Sequence, residues 1–160
     1  MQTPGGIRID DSRKTLHFTN VLSATTQSHS YSPLEPNDQN LAGIYNFVTV
    51  DTTCDRNRVI NYRDAAISSS HDRGIRILKN ILIDARDVER AEQNVGIHGM
   101  GLSNGRIRSN TITNDVRNLN FGLVLLWAQN VEVSNNLVHR STNDNILRGD
   151  VHKKGNLRFF

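Results

Sequence analysis

GIRILKNILID, residues 74–84, is the stretch whose reading decides the fold. Apolar and polar residues alternate up to Asn80, and a second short apolar run, Ile81 to Ile83, follows the asparagine. A period of two is the signature of strands with one buried face. The same pattern returns in GIRID (6–10), GRIRSNTIT (105–113) and NVEVSNNLV (130–138). Short strands that recur in this way cannot each bury their own face, so they point to a solenoid in which stacked coils share one core.

The recurrence has a fixed internal length. Gly6-Ile7, Gly43-Ile44 and Gly96-Ile97, with the variants Ala66-Ile67 and Gly122-Leu123, each open a unit, and 13 residues beyond the apolar member stand Asn20, Asn57, Asn110, Asn80 and Asn136. Two residues past each asparagine come Leu22, Val59, Ile112, Leu82 and Val138, and three before it His17, Cys54, Ile107, Ile77 and Val133. A sixth start follows at Asn145-Ile146, and the starts are 37, 23, 30, 26 and 23 residues apart. A minimal unit of 23 residues therefore carries insertions, all of them after the asparagine.

Composition bounds the remaining choices. The 160 residues suit a single domain, 1–160, and 36% hydrophobic with 6% aromatic content argues against a membrane-embedded protein. The single Cys54 excludes a disulfide framework and a multi-cysteine zinc site, and is expected in the core. A net charge of +3 and a pI near 9.4 favour anionic partners, but the excess is too small to predict nucleic-acid binding. No charged-then-apolar leader follows Met1.

With its repeated GI strand, the turn asparagine and the stretches GIRILKNILID and NVEVSNNLVHR, the chain resembles the right-handed parallel β-helix (pectate lyase-like) superfamily of polysaccharide lyases, epimerases and phage tailspikes. The resemblance spans Gly6 to about Gly155. It implies an all-β solenoid of about six coils, with Asn20, Asn57, Asn80, Asn110 and Asn136 stacked as a ladder. Amides suit that role because each carries a donor and an acceptor, so copies one coil apart satisfy one another. A short stack beginning near Gly5 and lacking an amphipathic cap is expected to be a fragment of a longer protein, or to be protected by oligomerisation.

In such proteins the outer face of the first strand floors the polysaccharide groove. Strand alternation places Arg8, Tyr45, Ser68, His98, Val124 and Leu147 there. His98, in GIHGMG (96–101), with Tyr45 and Arg8, supplies the residue types for a base and a cation that stabilises developing charge, and the adjacent glycines are read as openings for a sugar ring. Ser68, Ser70 and Trp127 are candidate substrate contacts on this face. The insertion 23–42, with His29, Tyr31 and Glu35, is expected as a groove wall, and 84–94 as a charged helix that brings Asp84, Asp87, Glu89 and Arg90 over the floor.

The chemistry these types allow is elimination or epimerisation of a uronate, so the implied partner is an acidic polysaccharide. The alternative is a noncatalytic glycan-binding or structural segment of a tailspike or surface adhesin, extracellular or on a virion. Hydrolysis wants two matched carboxyl groups about 5 to 9.5 Å apart, and no such pair can be named. Calcium is implied only by the resemblance, and the clustered aspartates of classical pectate lyases are missing, as are the NTD…DD…GHG set of polygalacturonases and the DPHE motif of mannuronan epimerases. The apolar run FGLVLLWAQN (121–130) leaves Val124, Leu126, Trp127 and Leu147 as a stripe that suits contact with another subunit, such as a homotrimer, or with the rest of a longer chain.

Overall fold

The computed structural model describes residues 7–10, 17–18, 21–23, 43–60, 62, 65–84, 95–114, 121–139, 145–154 and 158–159. Strand alternation in the sequence becomes a parallel β-solenoid. Three turns are built as three separate strands each: β4 (Ile44–Phe47), β5 (Thr53–Asp55) and β6 (Arg58–Ile60); β7 (Ala65–Ser70), β8 (Arg76–Leu78) and β9 (Ile81–Asp84); β10 (Val95–Met100), β11 (Arg106–Arg108) and β12 (Thr111–Asn114). On one side β1 (Ile7–Asp10), β2 (His17–Phe18) and β3 (Val21–Ser23) extend the same faces. On the other, β13 (Phe121–Ser134) runs through two faces as one 14-residue strand, followed by β14 (Leu137–His139), β15 (Ile146–Lys154) and β16 (Arg158–Phe159). No helix occurs among the described residues.

About three turns thus replace the six coils expected. The repeat counts starts, whereas a regular turn needs all three strands in register, and register slips at both sides of the stack. Phe18, not His17, pairs with the core residue Cys54. Ile146 pairs with Val124 rather than Leu123, and irregularities follow between Leu125 and Val131. Leu147 therefore lies beside Leu125, packed against the core, and leaves the outer row in which alternation had placed it.

In register, inward residues stack by column: Ile44, Ile67, Ile97 and Leu123 on the first strand, Cys54, Ile77, Ile107 and Val133 on the second, Val59, Leu82, Ile112 and Val138 on the third. All are buried in one cluster, each large side chain contributing about 1.5–3 kcal/mol. The glycine of the GI pair faces that core across the coil. A Cβ on Gly96 would stand 2.4 Å from Ile112 Cγ2, and one on Gly122 2.4 Å from Val138 Cγ1. The third strand approaches too closely for a side chain there.

Next to the third strand, four of the five asparagines expected in a ladder are buried and satisfy one another from turn to turn; Asn20 lies outside the described residues. Asn57 Nδ2 donates to Asn80 Oδ1, Asn80 Nδ2 to Asn110 Oδ1 and Asn110 Nδ2 to Asn136 Oδ1, each at 2.9 Å. The same oxygens accept the backbone N–H of Asn57, Asn80 and Asn110, and the Nδ2 groups of Asn80, Asn110 and Asn136 also donate to the carbonyls of Cys54, Ile77 and Ile107.

Among the described residues, each corner on either side of the second strand uses left-handed residues. Val48, His71, Gly101 and Trp127 form the corner after the first strand; Asp51, Gly74, Asn104 and Asn130 the corner before the second; Arg56, Lys79, Ser109 and Asn135 the corner before the ladder. Between the first two corners Asp72 is fully buried. Its Oδ1 accepts from Thr49 N at 2.5 Å and Thr49 Oγ1 at 2.8 Å, and its Oδ2 accepts from Ser69 Oγ.

Candidate functional site

The first-strand row forms as alternation requires, but it is not an open floor. Arg8 pairs with Tyr45, Tyr45 with Ser68, Ser68 with His98 and His98 with Val124. Tyr45 and Val124 are buried, at 7% and 8% exposure, and Ser68 and His98 are half-buried. Burial holds the His98 imidazole below the ordinary histidine range, so its neutral form, which can accept a proton, is favoured. Its register neighbours are a hydroxyl and a valine, and the nearest cation in the row, Arg8, is three rungs away.

The glycines beside His98 serve other ends than a sugar opening. Gly96 faces Ile112, and a Cβ on Gly99 would meet Leu102 and Leu125 at 2.6 Å, so both look into the core. Gly101 occupies a corner with φ +65° and lies over the His71 ring. Ser70 is buried, with its Oγ 2.9 Å from His71 Nδ1. Trp127 is 68% exposed. Asp84 ends β9, in register with Asn114. Asp87, Glu89 and Arg90, and with them the expected helix, lie outside the described residues, as do His29, Tyr31 and Glu35. Among the described residues no three His, Cys, Asp or Glu side chains converge to hold a metal ion.

A different surface is open and charged. Along the second strand and the corner before it, Val50, Asp51, Arg73, Gly74, Arg76, Asn104 and Arg106 line a groove of about 480 Å³. Arg76 and Arg106 are register partners on neighbouring turns and both are exposed. Arg73 reaches the same groove from the corner, where its backbone bridges Val50 and Ser103. Among the described residues none of the three is within 4.0 Å of a carboxylate. Like charges directly opposite on adjacent strands repel, and on its other side Arg106 is in register with Glu132, which offsets part of that repulsion.

Further along the face Asn104, Gly105, Arg106, Asn130, Glu132, His152 and Lys154 line a second depression. Here charges are mixed. The Ser134 hydroxyl, aided by Lys154, Arg106 and Arg108, holds the Glu132 carboxyl below the usual carboxylate range, and Lys154 Nζ stands 3.8 Å from it.

The arginine groove was not among the residues picked from sequence. Its signal was present in the opening stretch: Arg76 in GIRIL and Arg106 in GRIRS hold the same repeat position. Projecting the outward row of the second strand, and not only of the first, brings them together.

No protein-family model, no curated protein and no solved structure matches the chain. Its class rests on strand register alone: an all-β parallel β-solenoid with a sequence repeat.

Proposed function

We propose that this chain is a polysaccharide-directed parallel β-helix of the pectate lyase-like kind that binds an acidic polysaccharide lengthwise along the second-strand face. The stacked Arg76 and Arg106, joined by Arg73 and with no carboxylate within 4.0 Å among the described residues, are the observation that carries this reading. Guanidinium groups pair with carboxylates in bidentate geometry, and two of them at the strand spacing of about 4.8 Å follow the axis of an extended polymer. The right-handed coil sense belongs to the same proposal, because parallel crossovers on twisted strands take that hand.

Titration with polygalacturonate and with neutral dextran at several salt concentrations tests it. Binding to the acidic polymer that weakens as salt rises, and weakens further in Arg76→Ala and Arg106→Ala, supports the groove. Equal affinity for both polymers, or none for either, sinks the proposal.

Catalysis by elimination is a second reading, favoured by the neutral His98 imidazole, which could take the proton beside a uronate carboxylate as the C–O bond to the leaving sugar breaks. Absorbance of the unsaturated product, rising with wild type and lost in His98→Ala, would establish it. A flat trace on a panel of acidic polysaccharides leaves a glycan-binding or structural segment of a longer surface or tailspike protein.

A further inference from the structure

The corner after the first strand is filled in a way its geometry does not favour. The corner three residues on, with the same left-handed backbone, holds Asp51, Gly74, Asn104 and Asn130, the types that tolerate φ near +50°. The first corner holds Val48, His71, Gly101 and Trp127. A β-branched valine and a tryptophan are costly there, and neither repays the strain inside the protein, because Val48 is 42% and Trp127 68% exposed. The fold dictates the left-handed corner but not the indole standing on it.

What lies beside that indole gives it a use. Asn130, three residues past Trp127, donates from Nδ2 to Asn104 Oδ1 at 2.7 Å, and Asn104 lines the arginine groove. Three residues span at most about 10 Å, so the corner that carries Trp127 lies within that reach of Asn130, which borders the charged face. The Trp127 ring has no aromatic partner among the described residues; the ring contacts of this corner run from Tyr45 to Phe47 and from Phe47 to His71. Its electron-rich face suits the C–H side of a pyranose, which carries partial positive charge.

We propose that Trp127 is a stacking platform for sugar rings of the same acidic polysaccharide whose carboxylates the arginine groove takes up. The inference rests on the groove reading above and divides recognition in two: charge along the second-strand face, apolar sugar face at the corner. The two parts have different salt dependence. Ion pairing releases counterions and weakens as salt rises. Stacking does not.

Trp127 is the only tryptophan in the chain, so its emission reports this corner alone. Wild type, Trp127→Ala, Trp127→Phe and Arg106→Ala are titrated with oligogalacturonate at low and high salt, following emission and iodide quenching where the indole is present and calorimetry throughout. Expected are a blue shift and protection from iodide on binding. Trp127→Ala weakens affinity about tenfold at every salt concentration, Trp127→Phe restores part of it, and Arg106→Ala instead flattens the salt dependence. Binding that leaves the emission unchanged, or that Trp127→Ala does not weaken, overturns the platform while the groove stands. No binding by wild type overturns the groove reading and the platform with it. Protection of Trp127 on raising protein concentration without sugar would show the corner to be an interface between copies, and would also overturn it.

Discussion

Asn80 and Asn110 are 30 residues apart in the chain and one hydrogen bond apart in space: Asn80 Nδ2 donates to Asn110 Oδ1 at 2.9 Å. The same oxygen accepts the Asn80 backbone N–H, and Asn110 passes the pattern to Asn136. Asn110→Ala removes four buried hydrogen bonds, those from the Asn80 N–H and Nδ2 to its Oδ1 and those from its Nδ2 to Asn136 Oδ1 and the Ile77 carbonyl, each worth about 0.5–1.5 kcal/mol, and leaves the Asn80 backbone N–H unpaired. Urea unfolding should show a loss of about 3 kcal/mol or more. Asn104→Gly removes the exposed amide pair with Asn130 while keeping a residue that tolerates the left-handed corner, and should change stability by no more than about 0.5 kcal/mol. Equal losses would mean that burial does not set the value of the buried column.

The GI repeat predicts an asymmetry between two small residues. Gly96→Ala places a methyl 2.4 Å from Ile112 Cγ2 and 2.7 Å from the Gly122 carbonyl oxygen, and overpacking against backbone costs about 1–3 kcal/mol. Ala66, at the equivalent repeat position, already carries its methyl in the core, so Ala66→Gly should cost about 1 kcal/mol or less. Thermal melts of the two variants compare them directly.

At the apolar corner, stability and recognition should oppose each other. Trp127→Asn relieves an unfavourable left-handed residue and should raise stability by up to about 1 kcal/mol, an increase in Tm of a few degrees. The same variant should bind acidic oligosaccharide less well. A variant that melts lower than wild type would show that the indole packs against the fold instead of standing free of it.

Two titratable groups shifted by burial, half-buried His98 and fully buried Asp72, push the pH dependence of stability in opposite senses. His98 is depressed by burial, so the unfolded chain takes its proton first, and stability is lost as pH falls through the histidine range near 6.5. Asp72 is raised, chiefly by burial and against the pull of Ser69 and Thr49, so the folded chain holds its proton longer and stability declines as pH rises above the usual carboxylate range. Urea midpoints across pH 3.5 to 8 should lose the first slope in His98→Gln and the second in Asp72→Asn. A profile unchanged by either variant would refute the assignment.

Cys54 should be silent until the protein opens. Burial pushes its thiol up to about 11, and the side chain is fully enclosed beneath Asn46. Disulfide-exchange reagents at pH 8 should react no faster than the solenoid unfolds, and addition of urea should bring the labelling rate up with the unfolded fraction.

The solenoid was legible because its strands obey local rules. Alternation in GIRILKNILID names the inward Ile77 and Leu82, and the spacing of 13 residues places Asn57, Asn80, Asn110 and Asn136 in one column before any coordinates exist. The first-strand row of Arg8, Tyr45, Ser68 and His98 was legible for the same reason. Its burial was not, since exposure depends on what packs over a strand. The glycines misled because the space they leave opens inward, toward Ile112 and Leu125, and sequence spacing is blind to the direction of approach.

By itself, then, the sequence determined the repeat, the strands and the identity of the stacked core residues, because a strand's period and an amide's two-sided hydrogen bonding are properties of the residues alone. Only the tertiary structure decided the register at either side of the stack, the exposure of Trp127 and the meeting of Arg73, Arg76 and Arg106 in one groove. Each of these depends on distances between turns 23 to 30 residues apart, which are set by how corners bend and how closely neighbouring strands approach.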